Sequence, residues 1–234
     1  MSDCAIDIAG LIFRWPRQDA PCLDIPRFTV HKGERVFLQG ASGSGKTTLL
    51  NVLGGVLSPE QGQVQFLGDD LAKVSPHRRD RLRADHIGFI FQQFNLLPWM
   101  SALDNVLLPC TFSIRRMAQA TGSHPVRAEA ERLLVHLELA SSDWKRPANT
   151  LSVGQQQRVA AARALIGQPD LIIADEPTSA LDADRQDAFI DLLLRETTAA
   201  GSTLIYVSHD ARLAPNFDRR VTMAEINRSP VLII

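Results

Sequence analysis

Gly40-Ala41-Ser42-Gly43-Ser44-Gly45-Lys46-Thr47 holds two glycines separated by four residues and followed by lysine and a hydroxyl residue, the pattern of a phosphate-binding loop. The run before it, Arg35-Val36-Phe37-Leu38-Gln39, is short and apolar, which predicts a strand. After the loop, leucine and valine residues between positions 49 and 53 recur at helical spacing. The sequence therefore predicts strand, loop and helix in that order, which is the context that a phosphate loop requires.

The chemistry of this loop follows from its residue types. Glycines let consecutive backbone N–H groups face a phosphate without Cβ clashes, and the helix N-terminus adds partial positive charge. Lys46 is expected to neutralise the outer phosphates and Thr47 to ligate Mg²⁺, while Thr48 joins residues 40–47 as a predicted nucleotide contact. A glycine-rich turn should match by chance in about one chain of this size in a hundred. The flanking strand and helix lower that chance, so we predict a nucleoside triphosphate site.

Length and charge limit the remaining classes of function. A chain of 234 residues can bury a substantial core, as one domain or two small lobes. Its net charge of −1 gives no electrostatic reason to expect nucleic acid as a partner. The basic cluster at residues 77–83 follows Ser75-Pro76, which predicts a helix start. We therefore interpret the cluster as a solvated helix face.

The cysteines and the apolar runs bear on location. Cys4, Cys22 and Cys110 are odd in number and lack metal-ligand spacing, which favours a reducing compartment. No apolar run approaches 18 residues, and the N-terminus lacks the features of a signal peptide. We expect a cytoplasmic chain that reaches a membrane only through a partner.

The order of predicted elements indicates the fold class. Short apolar runs before residue 40 and the alternating run Gln63-Val64-Gln65-Phe66-Leu67 predict an N-terminal antiparallel sheet. A buried strand at 87–91 is followed, to about residue 150, by helical patterns that include a capping box at Ser101-Ala102-Leu103-Asp104. Strand and helix then alternate, which predicts a parallel sheet covered by helices; the expected elements are a helix at about 155–166, a strand at 171–174, a helix at about 183–198 and a strand at 203–207.

Two carboxylates and a histidine follow predicted strands. Asp175 and Glu176 come directly after the apolar strand at 171–174, and parallel sheets bind ligands at the carboxyl ends of their strands. We assign Asp175 to Mg²⁺ and Glu176 to the water that attacks the γ-phosphate. Adjacent acids after a strand are common, and it is the presence of Lys46 that favours this role. His209 also follows a strand and is a candidate γ-phosphate contact, although a lone histidine there is usually a loop residue.

Leu151-Ser152-Val153-Gly154-Gln155 lies between the phosphate loop and the acidic strand. With this motif the chain resembles an ABC-transporter ATP-binding cassette over essentially its whole length. The resemblance implies a single nucleotide-binding domain of α/β class: a P-loop NTPase parallel sheet with helices on both faces, an N-terminal antiparallel β-subdomain and an inserted helical subdomain. It places the catalytic core lobe at about 1–93 and 153–234, and the helical subdomain at about 94–152.

Further residues take roles from the resemblance alone. Gln92 is similar to the Q-loop glutamine, which contacts Mg²⁺ and reports on the membrane partner. Residues 179–182, which include Asp182, resemble the D-loop, and His209 resembles the switch histidine. Trp15 stands where the family has an aromatic residue that stacks on adenine, although it replaces the more frequent tyrosine. The alternative for Trp15 is a residue of the core.

The signature implies a dimer. Ser152 and the backbone of Gly154 stand at a predicted helix start and would make a second anion site. Gln155 is also predicted to contact the nucleotide there. In the family two cassettes meet head to tail, so that the signature of one closes on the γ-phosphate held by the other. The resemblance therefore implies ATP and Mg²⁺ as cofactors and a homodimer or paired cassette as the assembly. Val153 replaces the usual second glycine at a position that varies in the family.

The subgroup is indicated by residues 87–98 and by Leu103-Asp104-Asn105-Val106. They resemble the cassettes of the macrolide-export, lipoprotein-release and cell-division group. The resemblance implies integral-membrane permease subunits as partners, a position on the inner face of the membrane, and ATP hydrolysis coupled to export or extraction. Phe94, Leu96, Leu97, Trp99 and Met100 are candidates to receive a permease helix, or else fill the helical lobe.

Three other classes remain as alternatives at this stage. ABC-type ATPases of DNA or the ribosome carry long coiled-coil insertions or two cassettes, and 234 residues hold neither. A cell-division-type ATPase that transmits mechanical signals without moving a substrate has the same cassette chemistry and is not distinguished by sequence. A generic phosphate-loop kinase leaves residues 151–155 and His209 unexplained.

Overall fold

The computed structural model describes residues 3–122, 124–179 and 181–229. The chain divides into two compact units: the first holds the described residues up to Arg83 and from Thr203 onward, and the second runs from Ala84 to Ser202. The helical subdomain predicted at about 94–152 falls within the range of the second unit. Its bounds remain a prediction.

The elements alternate between strands and helices for most of the chain. In chain order they are β1 Cys4–Phe13, β2 Leu23–His31, β3 Arg35–Gln39, α1 Lys46–Leu53, β4 Gln61–Phe66, β5 Asp69–Asp70, α2 Pro76–His86, β6 Ile87–Ile90, α3 Ala102–Phe112, α4 Ile114–Thr121, α5 Val126–His136, α6 Val153–Leu165, β7 Leu171–Asp175, α7 Ala183–Ala200, β8 Thr203–Val207, β9 Arg219–Thr222 and α8 Met223–Ile226. Short 3₁₀ helices cover Ser141–Asp143, Ala148–Thr150 and Ala211–Asn216.

The predicted N-terminal antiparallel sheet is present in the first unit. Its strand order is β2-β1-β4-β5, and β1 pairs antiparallel with both β2 and β4. Ile6 and Ile8 of β1 alternate and are at most 1% exposed, and Leu11 is buried beyond the register shift that lies between Ala9 and Ile12 in the pairing with β4. Burial of these side chains fixes the register on each side of the shift, because a slip of one residue would turn them to the other side.

A parallel ladder in the first unit positions the phosphate loop. β3 lies between β8 and β9 and runs parallel to both, with Leu38 opposite Val207 on one side and Val221 on the other. Residues 36–38 are fully buried, which is typical of a central parallel strand. Because the three strands end at the same edge, the loop after β3, His209 after β8 and the chain after β9 all leave the sheet there.

The second unit holds another parallel pair. β6 pairs with β7, with Ile87 opposite Leu171 and Ile90 opposite Ala174. Gln92 and Asp175 therefore follow the same end of this pair. The unit also contains α3 to α7, and among these α6 packs against α3, α5 and β6. None of the helices in the described ranges has the length and apolarity needed to cross a bilayer.

Several predicted bounds shift by one or two residues for identifiable reasons. α6 begins at Val153 rather than at Gln155, because Ser152 and Gln155 form a reciprocal capping box. α7 continues to Ala200 and ends at Gly201, which has a left-handed φ of 65°. The capping box predicted at Ser101 is half made: Ser101 accepts from the Asp104 backbone N–H, but the Asp104 carboxylate accepts from the Ser101 hydroxyl instead of from its backbone.

The basic cluster adopts the predicted helix. α2 begins at Pro76, and the Ser75 hydroxyl accepts from the Arg78 backbone N–H. Arg78 pairs with Asp69 and Arg83 with Asp80. These ion pairs and the exposure of the helix agree with a solvated face.

Candidate nucleotide site

The phosphate loop connects β3 to α1, and Gly45 is the cap residue of that helix. Gly45 has a φ of 94°, and a Cβ added there would lie 2.8 Å from Cδ2 of Leu23 and 3.2 Å from the Cys22 carbonyl oxygen. The position therefore requires glycine, because its φ is positive and because there is no space for a side chain. A glycine also leaves the first N–H groups of α1 with no side-chain cap, and such a helix start binds anions well.

The side chains that follow Gly45 point in different directions. Lys46 Nζ donates to the carbonyl oxygens of Gly40 at 2.7 Å and Ala41 at 3.0 Å, so the ammonium lies over the loop. Thr47 is exposed. Thr48 is buried, with its hydroxyl 3.5 Å from the Cys22 sulfur. A nucleotide contact at Thr48 would therefore have to come from its backbone.

His209 lies at the edge of the same cavity as the loop. The cavity measures about 540 Å³, and its lining includes Gly40, Ala41, Ser44 and His209. His209 is exposed, and its carbonyl oxygen accepts from Gln39 Nε2 at 3.3 Å. The structure thus brings the histidine and the first part of the phosphate loop to one site, as the parallel ladder predicts.

Trp15 lies at the surface, with 37% of it exposed. Its ring meets Phe13 edge to face at 5.2 Å, and both belong to the lining of an open pocket of about 400 Å³. A residue of the core, the alternative considered above, would be far less exposed. Part of the Trp15 side chain is therefore open to solvent.

In the second unit, the acidic pair stands where β7 ends. Asp175 is the last residue of the strand and Glu176 the first beyond it, and both are half-buried. Glu176 has a φ of 45°, in the left-handed region that costs a side-chain-bearing residue about 1–2 kcal/mol. Its carbonyl accepts from the Ser179 N–H at 3.2 Å, which closes the turn. Gln92, after β6, is exposed.

The signature residues cap α6. The Ser152 hydroxyl accepts from the Gln155 backbone N–H, and Gln155 Oε1 accepts from the Ser152 N–H at 2.8 Å. Gln155 Nε2 also donates to Asp143 at 2.7 Å. Gln155 therefore orients the exposed Ser152 through its amide. Gly154 is half-buried and has open space where a Cβ would stand.

The segment that resembles the D-loop caps the next helix. Asp182 is the cap residue of α7, and its carboxylate accepts from the Arg185 backbone N–H at 3.1 Å. Gln186 donates to the carbonyl oxygens of Thr178 and Leu181, each at 3.1 Å. Ala180, part of the same predicted motif, lies outside the described residues.

Three polar side chains had no sequence signal of function: Arg116 and Asn227, which are buried, and Arg163, which is half-buried. Arg116 donates to carbonyl oxygens at the end of α6, including Ile166 at 2.8 Å. Arg163 donates to the backbone of Phe94 and Asn95, two and three residues beyond Gln92. Asn227 donates to the backbone of Ser44 in the phosphate loop. Each of the bonds named here joins residues 50 or more positions apart in sequence, and backbone carbonyls leave no residue-type pattern.

Comparison with known proteins bears on this set of residues. The family model described as ABC transporter matches residues 23–179, from the start of β2 to the turn after Glu176. The chain belongs to the ABC transporter family. Membership makes it an ATP-binding cassette with ATPase chemistry, and the predicted α/β fold of that family is confirmed.

Relatives of this ABC cassette cover almost all of it. The lipoprotein-releasing system ATP-binding protein LolD of Shewanella denitrificans is 38% identical over 221 residues, which is 94% of this chain and 92% of that protein. The macrolide export ATP-binding/permease protein MacB of Chromobacterium violaceum is 38% identical over 96% of this chain, but the chain spans only 34% of MacB. A solved dimeric ATP-binding cassette in a post-hydrolysis state with ADP and Pi is 34% identical, with a TM-score of 0.84 over 97% of this chain and 98% of that one.

Proposed function

We propose that this ABC cassette is the ATP-binding subunit of a membrane export or extraction system. The observation that carries the proposal is its similarity to LolD along 92% of that protein, together with a phosphate loop that has the required glycine geometry. MacB, the second kind of relative, is itself named for export. A cell-division-type signalling role uses the same cassette chemistry, and the relatives do not favour it.

The start of α1, Lys46 and Trp15 each have a part in holding ATP. The N–H groups at the start of α1 face the phosphates, and Lys46 moves from the loop carbonyls of Gly40 and Ala41 to the outer phosphates. Trp15 stacks on adenine through its exposed face. These interactions bind and orient ATP without forming a covalent bond to it.

Magnesium fits the donor set that the resemblance implies. Thr47, Gln92 and Asp175 offer a hydroxyl, an amide oxygen and a carboxylate, which are the hard oxygen ligands that Mg²⁺ prefers. When bound, the ion would neutralise charge on the phosphate oxygens. The residues named here would hold it directly or through water.

Hydrolysis needs a base and a γ-phosphate contact. Glu176 accepts a proton from water as the water oxygen bonds to the γ-phosphorus and the bond to the ADP oxygen breaks. Its left-handed backbone fixes the carboxylate at the start of the turn after β7. His209 donates to the γ-phosphate from the end of β8.

The signature is the half of the site that a second copy supplies. Ser152 is exposed at the start of α6 and oriented by Gln155, so it can donate to the γ-phosphate bound by a partner cassette, beside the backbone of Gly154. Asp182 lies in the segment assigned to the same interface. Two ATP molecules then join two cassettes head to tail, as a homodimer or a paired cassette.

The permease contact is assigned to the segment after Gln92 within a helical subdomain of about 94–152. Trp99 is 73% exposed, whereas Phe94 is buried, so Trp99 is the better candidate to meet a permease helix and Phe94 fills the core. We place the cassette at the cytoplasmic face of the membrane, held there by integral-membrane permease subunits.

The catalytic assignment is tested by Glu176→Gln. The variant should bind ATP within about threefold of the parent affinity, because the amide keeps the size of the carboxylate. Turnover should fall about 10²–10⁴-fold, the usual contribution of a general base. Glu138→Gln is the matched control, because Glu138 is also a glutamate with a left-handed backbone in the second unit, and its turnover should not change. Equal activity of Glu176→Gln and Glu138→Gln would remove Glu176 from this role.

The export assignment is tested by the partner. Affinity purification of the chain from detergent-solubilised membranes, followed by mass spectrometry, should recover a permease with few membrane spans and a large extracytoplasmic domain. Recovery of a many-spanning importer permease would contradict the assignment.

A further inference from the structure

The C-terminal segment after β9 returns to the phosphate loop. Met223 at the start of α8 packs so closely on Gly40 that a Cβ there would lie 2.8 Å from Met223 Cγ. Asn227, just after α8, is buried at 8% exposure. This segment therefore contacts the loop at Gly40, its first glycine, and at Ser44, to which Asn227 donates a hydrogen bond.

Asn227 makes a full set of hydrogen bonds. Its Oδ1 accepts from the backbone N–H groups of Asp24 at 2.8 Å and Ser229 at 3.2 Å. Its Nδ2 donates to the carbonyl oxygens of Cys22 at 3.1 Å and Ser44 at 3.2 Å. An amide group has two donors and two acceptor positions, so all of them are used and the side chain has one orientation.

The bond to Ser44 acts on the next residue of the loop. A trans peptide is planar, with its C=O and N–H on opposite sides. Because Asn227 holds the Ser44 carbonyl toward the C-terminal segment, the Gly45 N–H of the same peptide is held in the opposite direction. Gly45 is the cap residue of α1, and its N–H is among those that a phosphate loop turns toward its ligand.

We propose that Asn227 is a positioning residue for ATP binding, which sets the peptide between Ser44 and Gly45 in its phosphate-binding orientation. The proposal rests on the phosphate loop being the ATP site. It adds the segment 223–229 to that site as a rigid support. The chemical class recognised through it is the polyphosphate group of a nucleotide.

The first test is Asn227→Asp, which keeps the size and both accepted hydrogen bonds but loses the donation to Cys22 and Ser44. The Kd for ATP should rise about tenfold, the effect of losing one well-placed hydrogen bond. The kcat at saturating ATP should stay within about threefold, since none of the four hydrogen bonds of Asn227 involves Glu176 or His209. A purely structural role would instead lower the active fraction and leave the Kd unchanged, which would overturn the proposal.

The added charge of aspartate needs its own control. The charge that aspartate adds would be buried and therefore little screened by salt, so a neutral variant is the control. Asn227→Leu also loses the donation to Cys22 and Ser44 but adds no charge, and it should show a similar rise in Kd. An unchanged Kd in a folded Asn227→Leu would assign the effect to charge and contradict the proposal.

Two further variants separate the possible failures. Thr203→Val removes another buried hydrogen bond of the first unit, from the Gly33 N–H, at the opposite end of the β3–β8 ladder, and it should leave the Kd unchanged. Lys46→Ala should abolish binding. If Lys46→Ala loses ATP and the Asn227 variants retain it, only this inference fails; if Lys46→Ala binds normally, the proposed site itself fails.

Discussion

Gly45 is constrained both by its backbone conformation and by the atoms packed around it. Its φ is positive, and Leu23 and Cys22 occupy the space that a side chain would need. Gly201, which ends α7, has a similar φ of 65° but open space around it. The pair therefore distinguishes crowding from backbone strain.

We predict that Gly45→Ala lowers the free energy of unfolding by about 2–4 kcal/mol and abolishes measurable ATP binding, because both the conformation and the contacts must change. Gly201→Ala should cost about 1 kcal/mol and leave ATP affinity unchanged. Urea unfolding and nucleotide titration of both variants provide the measurement. Retained ATP binding by Gly45→Ala would contradict the role given to the loop geometry.

At this scale the sequence predicts the residues that belong to a local pattern. Lys46 and Gly45 are predicted from eight consecutive positions, and Glu176 from the end of one apolar strand. Asn227 is not predicted, because it lies 183 residues from Ser44 and its partners are backbone atoms, which leave no residue-type pattern. Thr48 shows the opposite limit: it is predicted as a nucleotide contact beside the pattern, but its side chain is buried beside Cys22.

Among the elements, α6 carries Ser152 at its start and is fixed at its other end. Arg116 of α4 is 3% exposed and donates to the carbonyl oxygens of Ile166 at 2.8 Å and Ala164 at 2.6 Å. Burial lowers the pKa of Arg116 to about 10, so it stays charged at neutral pH. Its guanidinium satisfies carbonyls that a helix end otherwise leaves unpaired.

Arg163 ties the same helix to the segment after Gln92. It donates to the carbonyl oxygens of Phe94 at 2.5 Å and Asn95 at 2.6 Å. Phe94 and Asn95 both have left-handed backbones, a conformation that needs support from its surroundings. The signature helix and the segment assigned to the permease are thus bonded directly within the second unit.

Adjacent arginines allow the helix cap to be tested. We predict that Arg116→Met lowers the free energy of unfolding by about 2–4 kcal/mol, because several buried carbonyls lose their donor. Arg115→Met should cost about 0–1 kcal/mol, since Arg115 is partly exposed and its ion pair with Asp170 is accessible to solvent. Urea unfolding of the two variants compares them directly. Equal losses would show that Arg116 does not cap α6.

The type and order of the elements are largely predictable, since each strand and helix has its own apolar period and stop signals. Strand 203–207 and helix starts at 76, 102 and 183 are found from sequence at the observed residues. The bounds that shift, such as the start of α6, depend on caps whose side chains face either the backbone or a neighbour. Tertiary packing decides which way such a side chain faces, and the apolar period of the sequence carries no information about that packing.

For the whole molecule, the two halves of the ATP chemistry are built in different ways. The phosphate loop is held by the parallel ladder and the C-terminal segment of the first unit. The signature stands at a capped helix start in the second unit, which is exposed and carries no phosphate loop of its own. The anion site proposed at this helix start would receive its ligand from a second copy of the chain.

ATP-dependent pairing of two cassettes is therefore the central claim, and the molar mass of Glu176→Gln in solution tests it most directly. By size-exclusion chromatography with light scattering, this variant should have the monomer mass of 25.8 kDa without nucleotide and about twice that mass with saturating ATP. Adding Ser152→Arg should restore the monomer mass while ATP remains bound. A monomer mass for Glu176→Gln at an ATP concentration that demonstrably saturates the site would contradict the head-to-tail dimer.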